Sequence, residues 1–368
     1  MSFACNDWKC SIAGKKEMKI LVLSTSPGNV ATKSIVRAGE AKGHEMIVKS
    51  PKWLYLLISD SVNGYDRVYD GYGQSDKPVK LALSSYDAII PRLGNNLNYS
   101  LAVLEHLNHN LRIFSTQSAS GIRTASDKLI SQQKFSQWKL KTPKTILGDQ
   151  ALHPEWMIKQ IGNLPGIAKT IRGSLGNGVY LLQSPLQTNI FLQNFSKAKN
   201  KLLLQSYINT GDQSRDIRSI CIDGKVVVAM ERLAKKGEIR ANIDKGGSGR
   251  RIELSEADQE ICIRACNSVG LKCAGVDLIK DQDGQTFVIE INGNYGYKIE
   301  SITQTDISTP LIEYCEREHK NKPNPMVTQQ AKENDPAMDY FNELRSRMPA
   351  TFGSMTFEQF RENMQNGL

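Results

Sequence analysis

Short apolar runs alternate with segments of helical spacing over the first part of the chain. The runs cover residues 19–24, 45–49, 88–94 and 112–116, and helical spacing covers residues 31–42 and the stretch around 100–106. Strands that alternate with helices in this way are typical of βαβ units, whose strands run parallel. We therefore predict an N-terminal domain over residues 18–120.

The remaining body of the chain combines helices with strands that are joined by tight turns. Apolar runs at 166–171, 179–182 and 202–208 predict strands, and helical spacing covers 125–138, 255–269 and 311–319. Two further pairs of strands flank Asp223-Gly224 and Asp281-Gln-Asp-Gly284, which are strong hairpin signals. We predict an α/β fold in which the N-terminal domain is followed by two α+β lobes, a central lobe over 121–200 and a C-terminal lobe over 201–319.

Polar segments flank this body at both ends. Residues 1–17 are expected to form a flexible leader. Residues 320–335 are polar, contain Pro323 and Pro325, and predict a linker. Beyond it, apolar spacing and the pair Thr356 and Gln359, which resembles a capping box, predict a short helical tail that ends at residue 368. We expect this tail to pack on its own body, on another subunit or on a partner.

The composition is that of a globular protein, with 40% hydrophobic and 23% charged residues, and it excludes disordered and collagen-like chains. Lys and Arg number 47 against 38 Asp and Glu, which gives a net charge of +9. A basic chain suits an acidic partner such as nucleic acid, a phosphate-rich ligand, an anionic peptide or a membrane surface, and it suits plain solubility equally well. No recognised nucleic-acid motif occurs, so nucleic acid is not expected among the partners.

Neither the N-terminal stretch nor the cysteines indicate export. No run of 18 apolar residues exists, and the first residues lack the apolar centre of a secretory signal. The seven cysteines are scattered without a CxxC pair, so neither a disulfide framework nor a zinc site is expected. We therefore predict a cytoplasmic protein with reduced thiols and without a membrane partner.

Two features suggest a phosphate ligand. Residues 172–178 form a glycine-rich turn between two apolar strands, and glycines let a backbone approach a phosphate closely. Lys169, inside the preceding strand, and Lys128 add positive charge that a phosphate would justify. Taken alone, the turn is better explained as a structural hairpin, and Lys169 equally well as a residue at a strand edge.

The residues with the clearest chemistry are Asp277, Glu290 and Asn292. Residues i and i+2 of a strand share a face, so Glu290 and Asn292 project together, and the hairpin at Asp283-Gly284 lets Asp277 approach them. Two carboxylates and an amide oxygen are hard ligands that suit Mg²⁺ bridging nucleotide phosphates. The alternative is a solvated sheet face, which the apolar surroundings disfavour. Cations that would hold a phosphate or a substrate carboxylate, or would simply decorate the surface, are Arg215, Arg218, Arg232, Arg240 and Lys245.

In order and spacing, a series of short motifs resembles the ATP-grasp superfamily, and more closely its RimK-like ribosomal-protein glutamate ligases. The resemblance extends from Met18 to about His319. The matching motifs are Asp-Lys-Leu at 127–129, Gly-Ser-Leu-Gly-Asn-Gly-Val at 173–179, Gln-Ser-Tyr-Ile at 205–208, Arg-Asp-Ile-Arg at 215–218, Glu-Arg-Leu-Ala-Lys at 231–235, Arg-Ala-Asn at 240–242, Lys-Gly-Gly at 245–247, Ala-Gly-Val-Asp at 274–277 and Glu-Ile-Asn at 290–292.

The resemblance implies a pre-ATP-grasp domain followed by an ATP-grasp body that holds ATP between two lobes. It implies Mg²⁺, with Mn²⁺ as an alternative, on Asp277, Glu290 and Asn292. The implied nucleotide-binding residues are Lys128, Lys169, Gly173, Ser174, Gly176, Gly178, Gln205, Tyr207, Ile208 and Asp216. The implied catalytic residues are Arg240 and Asn242 near the γ-phosphate, and Arg232 on the substrate carboxylate.

The implied function is that of a carboxylate–amine ligase, in which ATP phosphorylates a carboxylate and an amine attacks the acylphosphate to form an amide. The implied substrates are a protein or peptide carboxylate and the amine of an amino acid or a lysine side chain. The alternatives are a macrocyclase that joins side chains of one precursor peptide, and a nucleotide-binding module without catalysis; a homo-oligomer is left open. After Asn292, Gly293-Asn-Tyr-Gly296 replaces the Ala-Ser-Pro-Gly that is usual in the family, in a loop that borders the substrate site.

Overall fold

The computed structural model describes most of the body of the chain and a few positions of the tail. The described residues are 17–58, 67–73, 77–82, 85–94, 96–148, 153–171, 178–197, 202–238, 241, 243, 246–320, 341, 345, 355–356 and 359–360.

The N-terminal part contains a parallel sheet whose strands alternate with helices, as predicted. Its elements are β1 (Lys19–Ser24), α1 (Val30–Ala41), β2 (Glu45–Lys49), β3 (Leu54–Leu57), β4 (Arg67–Asp70), β5 (Val79–Lys80), β6 (Ala88–Arg92), α2 (Leu97–Glu105) and β7 (Phe114–Ser115). The parallel sheet has the order β2-β1-β6-β7. Strands β1 and β6 are buried almost throughout, because apolar residues point to both faces of a sheet that is covered on both sides.

The next part is built on an antiparallel sheet of four strands. Its elements are α3 (Ala119–Ser126), α4 (Lys128–Gln137), β8 (Thr145–Ile146), α5 (Pro154–Gln160), β9 (Gly166–Thr170), β10 (Val179–Leu182), α6 (Pro185–Lys197) and β11 (Leu202–Ser206). The strand order is β10-β9-β11-β8. Helix α4 begins at Lys128 because the Asp127 side chain accepts hydrogen bonds from the Leu129 and Ile130 N–H groups, at 3.0 and 3.1 Å.

The last part is a five-stranded antiparallel sheet with the order β14-β13-β12-β15-β16. Its elements are β12 (Arg215–Ile222), β13 (Lys225–Leu233), β14 (Ser248–Ile252), α7 (Glu256–Ser268), β15 (Cys273–Lys280), β16 (Thr286–Asn292), α8 (Lys298–Thr303) and α9 (Ser308–Lys320). Both predicted hairpins are confirmed, since β12 pairs with β13 and β15 with β16. At the first of them Asp223 and Gly224 have φ of 47° and 72°, the two positive angles that a two-residue type I′ turn requires. Within the described part of the chain, no helix has both the length and the apolar character needed to cross a membrane.

The two faces of the five-stranded sheet have different neighbours. On one face, Ile217, Val276 and Ile291 share an apolar cluster with Cys262 and Ala265 of α7. On the other face, Ile220, Val228 and Met230 share a cluster with residues of the parallel sheet, among them Ile20, Val22 and Ile90. The second face therefore packs against the N-terminal part along one end of its strands. The charged residues Asp216, Arg218 and Arg232 lie on the same face at the other end of the strands.

The described residues of the tail confirm the predicted capping box. The Thr356 N–H donates to Oε1 of Gln359 at 2.9 Å, and the Gln359 N–H donates to Oγ1 of Thr356 at 3.2 Å. The rings of Phe341 and Phe360 lie 5.0 Å apart, and both are buried. The tail therefore places apolar side chains against each other, in keeping with the predicted amphipathic pattern.

Candidate active site

Charged side chains form two adjacent cross-strand pairs on one face of the five-stranded sheet. Asp216 of β12 is directly opposite Arg232 of β13, and Arg218 of β12 is directly opposite Asp277 of β15. Directly paired residues share a face, as do residues two apart in a strand. The four side chains therefore meet on the face that is not covered by α7.

Asp277 is held by two guanidinium groups. Arg218 donates to both of its carboxylate oxygens, with Nη2 2.5 Å from Oδ2, and Nη2 of Arg232 lies 3.2 Å from Oδ2. Burial alone would raise the pKa of Asp277, but the positive charges of Arg218 and Arg232 outweigh it and lower the pKa to about 2. Asp277 is therefore ionised at neutral pH.

Arg232 is buried and also forms a bidentate pair with Asp216, with N–O distances of 2.5 and 2.8 Å. Burial would lower the pKa of Arg232, but Asp277 and Asp216 raise it. Two arginines and two aspartates therefore form a charge-balanced network. Arg215, by contrast, points to the opposite face, where it lies 3.9 Å from Glu231, and the structure does not bring it to the site.

Glu290 and Asn292 complete the predicted triplet on the same face. Glu290 is directly opposite Asp277 across β15 and β16, and Asn292 is directly opposite Gly275. A β-bulge follows at Ile289, whose carbonyl accepts a hydrogen bond from Nε2 of Gln132 at 3.1 Å. Bulges next to active sites redirect side chains, and this one directly precedes Glu290 in β16.

Of the two predicted lysines, Lys128 contacts Glu290, and Lys169 is influenced by the charge of Glu290. Nζ of Lys128 lies 3.5 Å from Oε1 of Glu290. Burial lowers the pKa of Lys169, the charge of Glu290 opposes that shift, and the nearby charge of Lys128 adds to it. The N–H of Lys128 donates to the carbonyl of Ile171 at 3.2 Å, which ties the start of α4 to the end of β9. The structure thus brings Lys128, at the start of α4, to a carboxylate of the C-terminal sheet.

The residues predicted to contact the adenine lie at the end of β11. Gln205 is buried, and its Nε2 donates to Oγ1 of Thr145 at 2.8 Å. Tyr207 and Ile208 follow the strand and are partly buried. The Gln205 side chain is therefore engaged inside the sheet, where Gln205 is also paired with Ile167 and Thr145 of the two neighbouring strands.

Gly178 ends the glycine-rich turn and needs to be glycine. Its φ is +77°, and a Cβ there would lie 2.4 Å from Oγ1 of Thr170. Six of the other residues that the sequence predicted for the site lie outside the described part of the chain: Gly173, Ser174, Gly176, Arg240, Asn242 and Lys245.

Two cavities border this face. The larger, of about 770 Å³, is lined by Arg218, Arg232 and Asn292, and the smaller, of about 540 Å³, by Glu290 and Asn292. Both volumes suit small-molecule substrates. Both cavities are also lined by Arg92, the last residue of β6, which no sequence motif marked as a site residue. The available signal was a charged residue at the end of an otherwise apolar strand.

The donor set on this face fits Mg²⁺. Asp277 and Glu290 would supply carboxylate oxygens and Asn292 would supply an amide oxygen, which are the hard ligands that Mg²⁺ takes. Asp277 is ionised, as a metal ligand must be. Its oxygens now accept hydrogen bonds from arginines, so a metal ion would have to share or replace those contacts.

Comparison with known proteins identifies two family domains in the chain. The RimK pre-ATP-grasp domain matches residues 18–122, and the RimK-like ATP-grasp domain matches residues 125–315. A protein of Marinomonas sp. (strain MWYL1) named "Probable alpha-L-glutamate ligase" is 33% identical over 305 residues, which are 82% of this chain and 96% of that protein. A protein of the same name from Shewanella halifaxensis is 32% identical over 307 residues, 83% of this chain, but this chain spans only 64% of its length.

Solved structures share the fold at low sequence identity. The ATP-grasp ligase PsnB complexed with a minimal precursor has a TM-score of 0.62 and 17% identity, over 82% of this chain and 98% of that one. The macrocyclase MdnC bound with its precursor peptide MdnA, from Microcystis aeruginosa, has a TM-score of 0.58 and 14% identity, over 80% and 98%.

The chain therefore belongs to the RimK-like ATP-grasp family. This membership confirms the predicted fold and the predicted enzyme class, an ATP-grasp ligase.

Proposed function

We propose that this chain is an ATP- and Mg²⁺-dependent ligase that activates a carboxylate as an acylphosphate and joins it to an amine. The substrate that we propose is a protein or peptide, and the amine is that of an amino acid. Relatives named as alpha-L-glutamate ligases support an amino acid as one substrate. Related structures that were solved with precursor peptides support a peptide as the other.

One observation carries the proposal: Lys128 contacts Glu290, beside Asp277 and Asn292, and the charge of Glu290 also influences the pKa of Lys169. Phosphoryl transfer needs cations on the phosphates and metal-binding oxygens within the same small volume, and it needs little else from the protein. A structural sheet face would have no use for two lysines that the fold draws from a different lobe.

The proposed catalysis is positioning and charge neutralisation. Lys128 and Lys169 would bind the phosphates of ATP, and Gln205, Tyr207 and Ile208 would contact the adenine, partly through backbone groups. Asp277, Glu290 and Asn292 would hold Mg²⁺, which supplies positive charge to the reacting phosphates. Asp216 keeps Arg232 in place at the border of the larger cavity.

Several predicted residues complete this proposal from outside the described part of the chain. Gly173, Ser174 and Gly176 would cover the phosphates, and Arg240 and Asn242 would face the γ-phosphate and the carboxylate. The flexible leader, the domain boundaries, a cytoplasmic location and a homo-oligomer stay predictions.

The proposal is tested with purified protein, ATP, Mg²⁺, a peptide pool and a pool of amino acids. We expect release of phosphate that depends on both substrates, together with a peptide that has gained the mass of an amino-acid residue. Loss of water from one peptide would instead indicate macrocyclisation, the mode suggested by the shared fold with MdnC. Absence of ATP turnover with all pools would refute the ligase, and a Glu290→Ala variant with unchanged turnover would refute the proposed metal site.

A further inference from the structure

Arg92 carries a buried positive charge that the proposed nucleotide chemistry does not use. Its side chain is only 5% exposed, at the end of β6 in the N-terminal sheet. Nη2 donates to the carbonyl of Tyr295 at 2.7 Å, and Nε is buried with no hydrogen-bond partner among the described residues. Buried charges are normally paired with an opposite charge, because removal from water is costly.

The surroundings of Arg92 hold the guanidinium in place without neutralising it. Its central carbon lies 5.0 Å from the ring centre of Tyr295 and 5.2 Å from that of Tyr297. The two rings are nearly parallel, at 6° to each other. Stacking on aromatic rings lowers the cost of burying an arginine but leaves its net charge in place.

The other two arginines that line the larger cavity are already neutralised. Arg218 is paired with Asp277, and Arg232 is paired with both Asp216 and Asp277. Within the described part of the chain, no carboxylate lies within ion-pair distance of Arg92. Glu300 also lines the cavity, but its carboxylate accepts hydrogen bonds from the Ser34 hydroxyl and the Ile307 N–H.

Arg92 lines both cavities, and the first turn of α1 lines the larger one beside it. Asn29, Val30 and Ala31 line the larger cavity beside Arg92, and the first turn of α1 contains no acidic residue. A helix N-terminus adds partial positive charge and N–H groups to an anion site. Two independent features thus favour one anion at this place.

The residues that line the larger cavity favour a ligand with a carboxylate and an apolar part over inorganic phosphate. Met230, Ile243 and Ile299 line the same cavity as Arg92, together with the charged Lys298 and Glu300, so a ligand there meets apolar groups next to the charge of Arg92. An arginine fork binds a carboxylate in a bidentate manner. The phosphate-binding lysines that we propose lie instead at Glu290, which borders only the smaller of the two cavities.

We propose that Arg92 binds a substrate carboxylate, and that it, rather than Arg232, is the main carboxylate-recognition residue of the described site. This inference rests on the proposed ligase function and deepens it. It also gives the loop Gly293–Gly296, where the chain departs from its family, a role: Tyr295 orients Arg92. Two substrates of such a ligase carry the group, the peptide that is activated and the amino acid that supplies the amine.

The first experiment is calorimetric titration of the protein saturated with MgADP. The probes are each L-amino acid and its carboxamide, and peptides that end in a carboxylate or an amide. We expect at least one carboxylate probe to bind and its amide to fail. Arg92→Met should weaken that binding about 10–100-fold, and Arg92→Lys, which keeps the charge without the fork, should weaken it less. Whether the binding probe is an amino acid or a peptide identifies the source of the carboxylate.

The matched control is Arg37→Met, since Arg37 is an exposed arginine on α1 and should leave binding unchanged. If Arg92→Met folds poorly, Asn294→Asp tests the same point, because this exposed residue lines both cavities and would place an anion beside an intact Arg92. We expect it to weaken carboxylate binding as well.

Three results would overturn the inference. The first is unchanged carboxylate binding in both variants, and the second is that no carboxylate binds to the natural chain. The third is that the Arg92 variants lose binding of a non-hydrolysable ATP analogue only. The last would assign Arg92 to a phosphate. These failures differ from failure of the ligase proposal, which is judged by ATP turnover and product mass in the natural chain.

Discussion

Replacement of Asp277 by asparagine removes the carboxylate that balances two arginines on a buried sheet face. In the natural chain Asp277 is 6% exposed and accepts hydrogen bonds from Arg218, with Arg232 close by. The pKa of Asp277 is lowered from 3.8 to about 2, and such a shift corresponds to roughly 2–3 kcal/mol of stabilisation. Asparagine also leaves a buried positive charge without its partner, which adds to the loss.

We expect Asp277→Asn to lower the free energy of unfolding by about 3 kcal/mol at pH 7. Urea denaturation followed by circular dichroism measures this change. The matched control is Asp283→Asn, at an exposed position of the adjoining turn, which should change the free energy by less than about 0.5 kcal/mol.

The pH dependence of the free energy of unfolding tests the stabilising role of Asp277 independently. A carboxylate whose pKa is lowered by folding stabilises the protein above its unfolded pKa, near 4, and that contribution is lost as the pH falls through the folded pKa, near 2. The difference between the natural chain and Asp277→Asn should therefore stay constant from pH 7 to about pH 5 and shrink towards pH 3. An equal stability of the two proteins at pH 7, or a difference that grows in acid, would refute the charge network described here.

Three further substitutions test other parts of the account. Glu290→Gln should reduce ATP turnover by about 100-fold or more, whereas Glu231→Gln, on the opposite face of the sheet, should leave it within about twofold; equal losses would contradict the proposed metal site. Gly178→Ala should lower the free energy of unfolding by about 1–3 kcal/mol because of its positive φ, while Gly28→Ala, with open space around it, should not; equal melting temperatures would contradict this. Gln117→Leu removes the donor to the Gly293 carbonyl, 2.6 Å away, and should destabilise the fold by about 1–3 kcal/mol in urea denaturation; no change would show that the loop does not need this bond.

The strand pattern of the fold was largely readable from local sequence. Strands β1, β2 and β10 begin and end where the apolar runs do, and both hairpins lie at the predicted turns. The three-stranded sheet β3-β4-β5 was not predicted, because its strands have only four, four and two residues and their periodicity is too short to read. Helices α5 and α6 were missed as well.

Site residues could be predicted from the sequence where their relative position is fixed locally, by a spacing of two residues in a strand or by a hairpin. This holds for Asp277, Glu290 and Asn292, which the register of β15 and β16 brings together. The pairing of Arg218 with Asp277 could not be predicted in this way. It requires β15 to lie next to β12, and the two residues are 59 positions apart in the sequence.

Arg92 was missed for a related reason. Its contact with Tyr295 joins residues 203 positions apart, in different domains of the fold. Single-sequence patterns carry no information on such pairs, whereas the structure shows that the charge is buried and unpaired by any carboxylate among the described residues.

The central claim is amide formation through an acylphosphate, and transfer of oxygen from the substrate to phosphate tests it most directly. Peptides whose carboxylates carry ¹⁸O are incubated with the protein, ATP, Mg²⁺ and unlabelled amino acids. A second reaction uses unlabelled peptides and amino acids whose carboxylates carry ¹⁸O. The account predicts that one ¹⁸O appears in the released phosphate for each amide formed, in one of the two reactions, as read by ³¹P NMR. Amide formation with unlabelled phosphate in both reactions would contradict it.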